Sequence, residues 1–362
     1  MADVMDLYNA EQHETEVFKC PSCGANLVFS PAKQMLVCDH CGGEFEMGKT
    51  YGVQPVDFAT GERPKETWGE ETVVYRCENC GAKEILARTE IAKTCPFCGT
   101  TNVVATDELS GMKPNGVLPF LFDEEAAKKN FLAWVKKKWF VPNKLKKQAA
   151  ADQMNGVYSP CWLFNANSDS VYNGRLGERY TVTVGSGKNR RTETRIRWFL
   201  VSGNFSRAFE DYIVEASPYL TQRQVDDLRP YRLEKSVAYD QRFLAGFAAS
   251  HYDKDMDTSW LEARSGLDKI IRQEILNLYH ADVVDFLNVS SFYKDVTFRY
   301  MLLPIWICNY RFNTKIYHFY VNGSTGKVIG KVPRSPLKIG FFTLGMLALA
   351  ALLIWLILTY LN

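Results

Sequence analysis

Residues 20–42 read CPSCGANLVFSPAKQMLVCDHCG and contain two Cys-x2-Cys pairs separated by fourteen residues. Two thiolates three residues apart on a tight turn can bind one tetrahedral ion, and a second such turn completes the coordination. The alternating apolar residues between the pairs are typical of short strands. The spacing therefore predicts a small β unit built around four sulfur ligands, a zinc ribbon.

The same unit occurs again further along the chain. Residues 77–99 read CENCGAKEILARTEIAKTCPFCG and repeat the spacing C-x2-C-x14-C-x2-C. A glycine follows every pair, where a residue without Cβ accepts left-handed backbone angles. Because such units are too small to fold on a core alone, metal binding supplies their folding free energy. We predict two structural Zn²⁺ ions, bound by Cys20, Cys23, Cys38 and Cys41 and by Cys77, Cys80, Cys95 and Cys98.

Two alternatives remain open for these cysteines. CPSC and CPFC also match a thioredoxin-like redox motif, although that motif occurs singly at a strand-to-helix junction. His40 lies inside CDHC and is itself a potential ligand. With four cysteines at hand, we expect His40 to be a solvated residue.

Cysteine usage and charge restrict the class of protein. Eight of the ten cysteines lie in these pairs, and residues 1–19 contain no apolar signal core, which favours a reducing, cytosolic setting. Charge is divided unevenly along the chain. Residues 1–110 carry 9 basic and 18 acidic side chains, a formal −9. The remaining residues carry 34 basic and 23 acidic side chains, a formal +11. Nucleic-acid affinity comes largely from Lys and Arg. The acidic half therefore disfavours nucleic-acid binding by the ribbons, and only a local patch supports it: Arg76, Lys83, Arg88 and Lys93.

A long apolar segment lies near the end of the sequence. Residues 339–361 read IGFFTLGMLALAALLIWLILTYL and contain no charge. At about 1.5 Å per residue the segment spans a hydrocarbon core of roughly 30 Å. Basic residues precede it and only Asn362 follows it, so the positive-inside bias predicts a tail-anchored, single-pass protein with its body in the cytoplasm. These basic residues are Lys327, Lys331, Arg334 and Lys338.

The predicted fold class is α+β, with five segments in order. They are a first zinc ribbon (1–46), a linker (47–71), a second zinc ribbon (72–106), an α+β cytoplasmic domain (111–335) and a transmembrane helix (339–361). Glycine, proline and charge in the linker are typical of a spacer. 

Within the α+β domain we predict helices that begin at the N-cap Asp123 and that cover 220–228 and 261–279. Residues 111–150 carry nine lysines against three acids, which indicates attraction to anionic membrane lipid or a solvated helix face. Predicted strands cover 179–184, 195–201, 298–309 and 315–322.

Two stretches of the domain have similar sequences. Residues 159–174 (SPCWLFNANSDSVYNG) and 303–323 (LPIWICNYRFNTKIYHFYVNG) both run from Pro and Trp to a closing Asn-Gly. Asn-Gly is a favoured hairpin turn. We therefore predict two related strand-hairpin units in one sheet.

No catalytic constellation is evident, and we expect no enzymatic activity. Residues 43–50 match a Walker A motif in letters, but a zinc knuckle precedes them, no helix pattern follows, and Glu44 and Glu46 would repel phosphate. Cys161 and Cys308 are isolated among apolar or aromatic neighbours, which is typical of core cysteines. The alternating acids Asp253, Asp255 and Asp257 lack the glycine and terminal glutamate of a calcium loop and are expected in a solvated loop.

The paired CPxCG-type ribbons, GVYSPCWLF (156–164), LPIWICNYRF (303–312), YHFYVNGSTGKVIGKVP (317–333) and the apolar helix together resemble one bacterial family. The members of that family are described as TFIIB-type zinc-ribbon membrane proteins, the YdjG-like envelope-stress family. The resemblance covers nearly the whole chain. It implies a scaffold that works beside SPFH-domain and TPM-domain proteins and recruits a phage-shock-protein-A-like protein to the membrane. The single membrane segment here departs from that pattern, so partner geometry does not carry over.

The sequence thus predicts a non-enzymatic, membrane-anchored zinc-ribbon adaptor or scaffold that docks cytoplasmic partners. The alternative is a zinc-ribbon nucleic-acid-binding protein of the replication or transcription type. The alternative requires binding despite the acidic charge of residues 1–110.

Overall fold

The computed structural model describes residues 18–60, 72–78, 83–87, 95, 97, 103–106, 112–142, 154–312 and 315–360. The strands are β1 (Leu27–Ser30), β2 (Met35–Cys38), β3 (Glu44–Phe45), β4 (Val56–Asp57), β5 (Thr72–Cys77), β6 (Lys83–Ala87), β7 (Val103–Thr106), β8 (Gly116–Val117), β9 (Asn155–Val184), β10 (Arg191–Glu215), β11 (Val237–Ala238), β12 (Ala248–Ser250), β13 (Val283–Phe312), β14 (Lys315–Asn322) and β15 (Val328–Gly330). The helices are α1 (Glu124–Lys136), α2 (Gln222–Leu228), α3 (Met256–Tyr279) and α4 (Pro336–Tyr360). This mixture confirms the predicted α+β class.

The first cysteine unit forms a sheet of its own from β1, β2 and β3. Leu27 and Phe29 alternate inward along β1, as the period-2 pattern predicts. Phe29 also packs edge-on against Phe243, with ring centroids 5.2 Å apart. Its backbone N–H donates to the carbonyl of Ala245 over 2.9 Å. The unit is therefore docked on the α+β body.

The segment predicted as a spacer also contacts the body. Val56 of β4 pairs with Phe298 of β13, and Tyr51 forms a bridge with Val237. Phe58 packs edge-on against Phe164, with ring centroids 6.3 Å apart. Part of residues 47–71 thus lies against the large sheet, and residues 43–60 contain no helix that a phosphate-binding loop would require.

Two strands of 30 residues, β9 and β13, form the centre of the large sheet. They pair antiparallel from Asn155 opposite Ile307 to Gly177 opposite Val283. β10 follows the other edge of β9 from Cys161 to Val184. β12 pairs with the start of β9 and joins it to β6, β5 and β7, whereas β14, β8 and β4 pair with β13. Strands of the second cysteine unit therefore continue the body sheet.

The two similar stretches lie on the paired strands β9 and β13, which confirms their placement in one sheet, and they meet at a single residue pair. Ser159 lies opposite Leu303, and the flanking pairs are Pro160 with Leu302 and Tyr158 with Pro304. The pairing thus has a local two-fold symmetry about the Ser159–Leu303 pair.

The predicted turn at Asn173-Gly174 was wrong, because both residues lie in the middle of β9. A Cβ on Gly174 would lie 2.8 Å from the carbonyl oxygen of Phe286, so glycine is needed here for close strand approach. The β9–β10 hairpin instead turns after Val184, starting at Gly185 with φ +93°.

Local capping signals fix the helices. Asp123 accepts the N–H of Ala126 over 2.9 Å at the start of α1, as predicted. Asp255 accepts the N–H of Thr258 over 2.7 Å and is the N-cap of α3 rather than a loop residue. Asp257 lies in the first turn, where a carboxylate favours the helix dipole.

α3 covers one face of the β9–β10–β13 sheet. Leu267, Ile271 and Ile275 are fully buried at helical spacing against Leu176 and its neighbours on the sheet. The opposite face of these strands is more exposed, and Leu200 has 78% of its surface accessible.

α4 leaves the body beside the end of α1. Phe140 accepts the backbone N–H of Ser335 over 2.7 Å, and Val141 accepts the Lys338 ammonium over 2.8 Å. In the part of the chain that the structure describes, α4 is the one helix long and apolar enough to cross a membrane, and none of it is buried.

Candidate metal centre

The structure brings four sulfur atoms of the first cysteine unit together. All four Sγ atoms of Cys20, Cys23, Cys38 and Cys41 lie within 4.8 Å of one another. Cys20 and Cys41 are 3.5 Å apart at Sγ, and so are Cys23 and Cys38. A tetrahedral ion with metal–sulfur bonds of about 2.3 Å separates its sulfurs by about 3.8 Å. The cluster can therefore hold one metal ion.

Two equivalent turns position these sulfurs. The N–H of Gly24 donates to the carbonyl of Cys20 over 2.8 Å, and the N–H of Gly42 donates to that of Cys38 over 2.8 Å. Their φ angles are +74° and +75°, and a Cβ on either would meet nothing within 4 Å. Glycine is thus favoured here by backbone angle rather than by space.

Backbone amides lower the pKa of two of the four thiols, Cys20 and Cys38, whereas hydrogen bonds with neighbouring cysteines raise the pKa of Cys23 and Cys41. Burial by itself would raise the pKa of Cys20, but N–H groups of Ser22 and Cys23 outweigh it and lower that pKa to about 6. The N–H of Cys41 lowers the pKa of Cys38. Metal ligation requires thiolates, so a lowered pKa reduces the proton competition.

Burial of the four cysteines is uneven. Cys20 and Cys38 are 2% exposed, whereas Cys23 and Cys41 are exposed to solvent. The buried pair fixes the site to the ribbon, and the exposed pair gives an ion access from solvent.

The geometry of this unit bears on the two alternatives, His40 as a ligand and CPSC as a redox motif. His40 is exposed and lies outside the four-sulfur cluster. The CPSC turn lies between a bridge residue and β1 and has no helix after it in residues 18–60, unlike a thioredoxin-like motif. The arrangement matches paired metal-binding turns.

The second predicted site is only partly described. Cys77 and Cys95 are buried at 1% and 2% exposure in one hydrophobic cluster with Phe97. Cys80 and Cys98 lie outside the described residues, so this site stays a prediction. Phe97 packs against Tyr219 with ring centroids 4.2 Å apart and an interplanar angle of 35°. The described half of this unit is therefore packed on the body.

A buried polar network lies elsewhere in the body. The carboxylate of Glu215 accepts the hydroxyl of Ser159 over 2.8 Å and the N–H of Ser217 over 3.0 Å, and Cys161 lies 3.5 Å from its other oxygen. Burial raises the pKa of Glu215 to about 7, although these hydrogen bonds oppose the shift. Burial, and then Glu215, raise the pKa of Cys161.

The network was not expected from the sequence, because its members come from β9 and from the end of β10, more than 50 residues apart. A neutral buried thiol is a poor nucleophile. Burial and the neighbouring carboxylate thus disfavour the thiolate form of Cys161.

The described architecture is thus a four-cysteine β unit on an α+β body with one apolar helix. Comparison with curated proteins finds 27% identity over 340 residues to the uncharacterized protein YdjG of Bacillus subtilis (strain 168). The similarity spans 91% of this chain and 93% of that relative. No protein-family model matches the chain, and no solved structure matches it. The chain is therefore a distant, nearly full-length relative of YdjG.

Proposed function

We propose that this protein is a membrane-anchored adaptor, in which a zinc-stabilised ribbon docks cytoplasmic protein partners beside the bilayer. The observation that carries the proposal is a closed four-sulfur cluster on the same chain as an apolar helix of 25 residues. 

The donor set favours zinc in a structural role. Four thiolates in near-tetrahedral placement suit Zn²⁺, and four protein ligands leave no position open for substrate. A catalytic zinc site keeps one such position for water. The metal would therefore supply folding free energy to a unit of three short strands.

The ribbon is held rigidly enough to act as a docking surface. Besides Phe29, the amide of Gln34 donates to the carbonyl of Phe120 over 2.6 Å and ties the β1–β2 turn to the body. The knuckles themselves remain exposed at Ser22 and His40. A partner can thus contact the metal-ordered turns while the body stays in place.

The anchor places this surface at a membrane. Basic residues before α4 and the positive-inside bias support a cytoplasmic body. The YdjG-like resemblance supplies candidate partners: phage-shock-protein-A-like, SPFH-domain and TPM-domain proteins.

Co-purification from native membranes tests the proposal. The full chain is solubilised, its zinc is counted, and bound proteins are identified for wild type and for Cys23→Ser/Cys41→Ser. These two cysteines are exposed, so their loss removes ligands with little change in packing. We expect the double variant to lose zinc from the first site and to lose its partners.

The matched control is Ser265→Ala/Asn277→Ala, which alters two exposed residues outside the ribbon, keeps all four sulfurs and should keep its partners. It should keep its zinc. If the cysteine variant retains the same partner set as wild type, the ribbon is not the docking surface and the proposal fails.

A further inference from the structure

The β9–β10 hairpin extends beyond the rest of the sheet. β13 begins at Val283, opposite Gly177, so residues 178–197 form a two-stranded arm. Seven residue pairs, from Glu178–Arg197 to Val184–Arg191, continue without a third strand among the residues that the structure describes. At about 3.3 Å per residue the arm projects by about 23 Å.

The arm concentrates positive charge. Its sequence contains six basic and two acidic residues, a net +4, in a chain whose total is +2. The basic residues are Arg179, Lys188, Arg190, Arg191, Arg195 and Arg197. 

Three of these arginines share one face with both acidic residues of the arm, Glu178 and Glu193. In the register, Arg197 lies opposite Glu178, Arg195 opposite Tyr180, and Arg191 opposite Val184. We call this the arginine face. Because side chains alternate along a strand, the other face carries the cross-strand threonine pairs Thr181–Thr194 and Thr183–Thr192.

The arginine side chains are open to a ligand. Arg191, Arg195 and Arg197 have 75%, 54% and 71% of their side-chain surface exposed. Their partners are Glu193, at 2.8 Å and 3.4 Å, and Glu178, at 3.3 Å. Exposed ion pairs of this kind contribute little to stability. The arginines can therefore leave their glutamate partners and bind another anion.

The arm lies far from the anchor along the sheet. α4 begins six residues after β15, and β15 pairs with β14 near the first residues of β9. From Val157 to Val184 is 27 residues, about 90 Å of extended strand at about 3.3 Å per residue. The tip, GSGKN, also has no apolar side chain to insert into a bilayer. A lipid surface is therefore disfavoured as the partner.

We infer that this arm binds duplex DNA, with its arginine face against the major groove. That groove is about 12 Å wide and admits a two-stranded β-ribbon. Arginine binds phosphate and guanine through a planar fork, which suits the Arg-rich composition of the arm. This inference does not rest on the adaptor function, and it assigns DNA to the basic hairpin rather than to the acidic ribbons.

Fluorescence anisotropy with a labelled 25-base-pair duplex tests the inference, using the full chain in nanodiscs of neutral phosphatidylcholine. Binding should weaken steeply between 50 and 200 mM salt, since each phosphate contact adds about 0.9 to the slope of log affinity against log salt. Arg191→Gln/Arg195→Gln/Arg197→Gln should lower affinity at least ~10-fold and reduce that slope by about 2 to 3.

The control Arg223→Gln/Lys235→Gln/Lys269→Gln removes the same charge from exposed positions elsewhere and should change affinity less than ~2-fold. The arm variant with lysines in place of its three arginines should recover much of the lost affinity, because phosphate contacts persist. Equal thermal unfolding of the variants excludes misfolding as the cause.

The inference is overturned if wild type fails to bind duplex at 50 mM salt, or if the arm and control variants lose affinity equally. It is also overturned if Cys23→Ser/Cys41→Ser abolishes binding while the arm variant keeps it, since the ribbons would then be the DNA site. Binding of the arm only to vesicles with phosphatidylglycerol, or only to an acidic protein, likewise contradicts it.

Discussion

At the scale of single residues, Glu215 links folding to pH. Its carboxyl group is fully buried, with hydroxyl partners from Ser159 and Ser217. Burial raises its pKa to about 7, against an ordinary value of 4.5. The folded protein therefore holds a proton that the unfolded chain releases at lower pH.

This shift gives a signed prediction. Stability from protonated Glu215 is fully present below about pH 4.5 and is lost as pH rises through about 7, on the order of 3 kcal/mol in all. Glu215→Gln keeps an oxygen acceptor for Ser159 but cannot titrate. Its urea-unfolding free energy should fall less between pH 5 and 8 than that of wild type.

Glu210→Gln serves as the control, because Glu210 is exposed on the same strand. Its pH profile should follow that of wild type. If the free energy of unfolding of Glu215→Gln depends on pH as that of wild type does, Glu215 is not the source of the pH dependence.

The knuckle glycines give a second residue-scale prediction. A left-handed backbone costs an ordinary residue about 1–2 kcal/mol. Gly24→Ala should therefore weaken zinc retention about 5- to 30-fold in competition with a chelator, because the turn that aims Cys20 and Cys23 is strained. Gly48→Ala is a matched control, since its added Cβ also meets nothing within 4 Å and its φ is not positive. Equal zinc retention in the two variants would contradict the account.

At the scale of elements, β1 joins the ribbon to the body through one aromatic residue. Phe29 is 3% exposed and packs against Phe243 and Phe247. Phe29→Ala should cost about 3–5 kcal/mol and release the ribbon while the body stays folded. Hydrogen exchange should show lost protection in β1 and unchanged protection in α3.

Val37→Ala on β2 is the control, because Val37 is only half-buried. It should leave the protection of β1 near the wild-type level. Loss of protection throughout the body in Phe29→Ala would mean that the ribbon and the body unfold together.

Local sequence signals predicted the helices and the cysteine turns of the first unit well, and strand lengths poorly. Capping by Asp123 and the Cys-x2-Cys spacing act within a few residues, so the sequence shows them directly. Asn173-Gly174 looks like a turn by the same local rule, but pairing with β13, more than 100 residues away, holds it in a strand. The predicted strands at 179–184 and 195–201 are segments of strands of 30 and 25 residues.

At the scale of the whole molecule, the sequence predicted the parts and missed their contacts. The charge split between residues 1–110 and the remainder is visible in the sequence, but the arm that concentrates positive charge appears only once β13 is seen to stop at Val283. Docking of Phe58 and assembly of the Glu215 network also depend on long-range pairing, which no local pattern encodes.

The apolar helix gives a whole-molecule prediction. Leu349→Lys/Leu353→Lys places two charges near the middle of α4, and each costs about 2.5–3.5 kcal/mol on insertion. The variant should move from the carbonate-resistant membrane fraction to the soluble or degraded fraction. Leu349→Ala/Leu353→Ala should stay in the membrane. Membrane retention of the lysine variant would contradict a spanning role for α4.

Zinc K-edge absorption spectroscopy of the full chain, purified from membranes without added metal, measures the ligand shell directly. A closed structural site predicts a shell of four sulfurs at about 2.3 Å with no nitrogen or oxygen neighbour. A shell with water in place of a sulfur would reveal an open, reactive site, and would contradict a metal whose role is to order a docking surface.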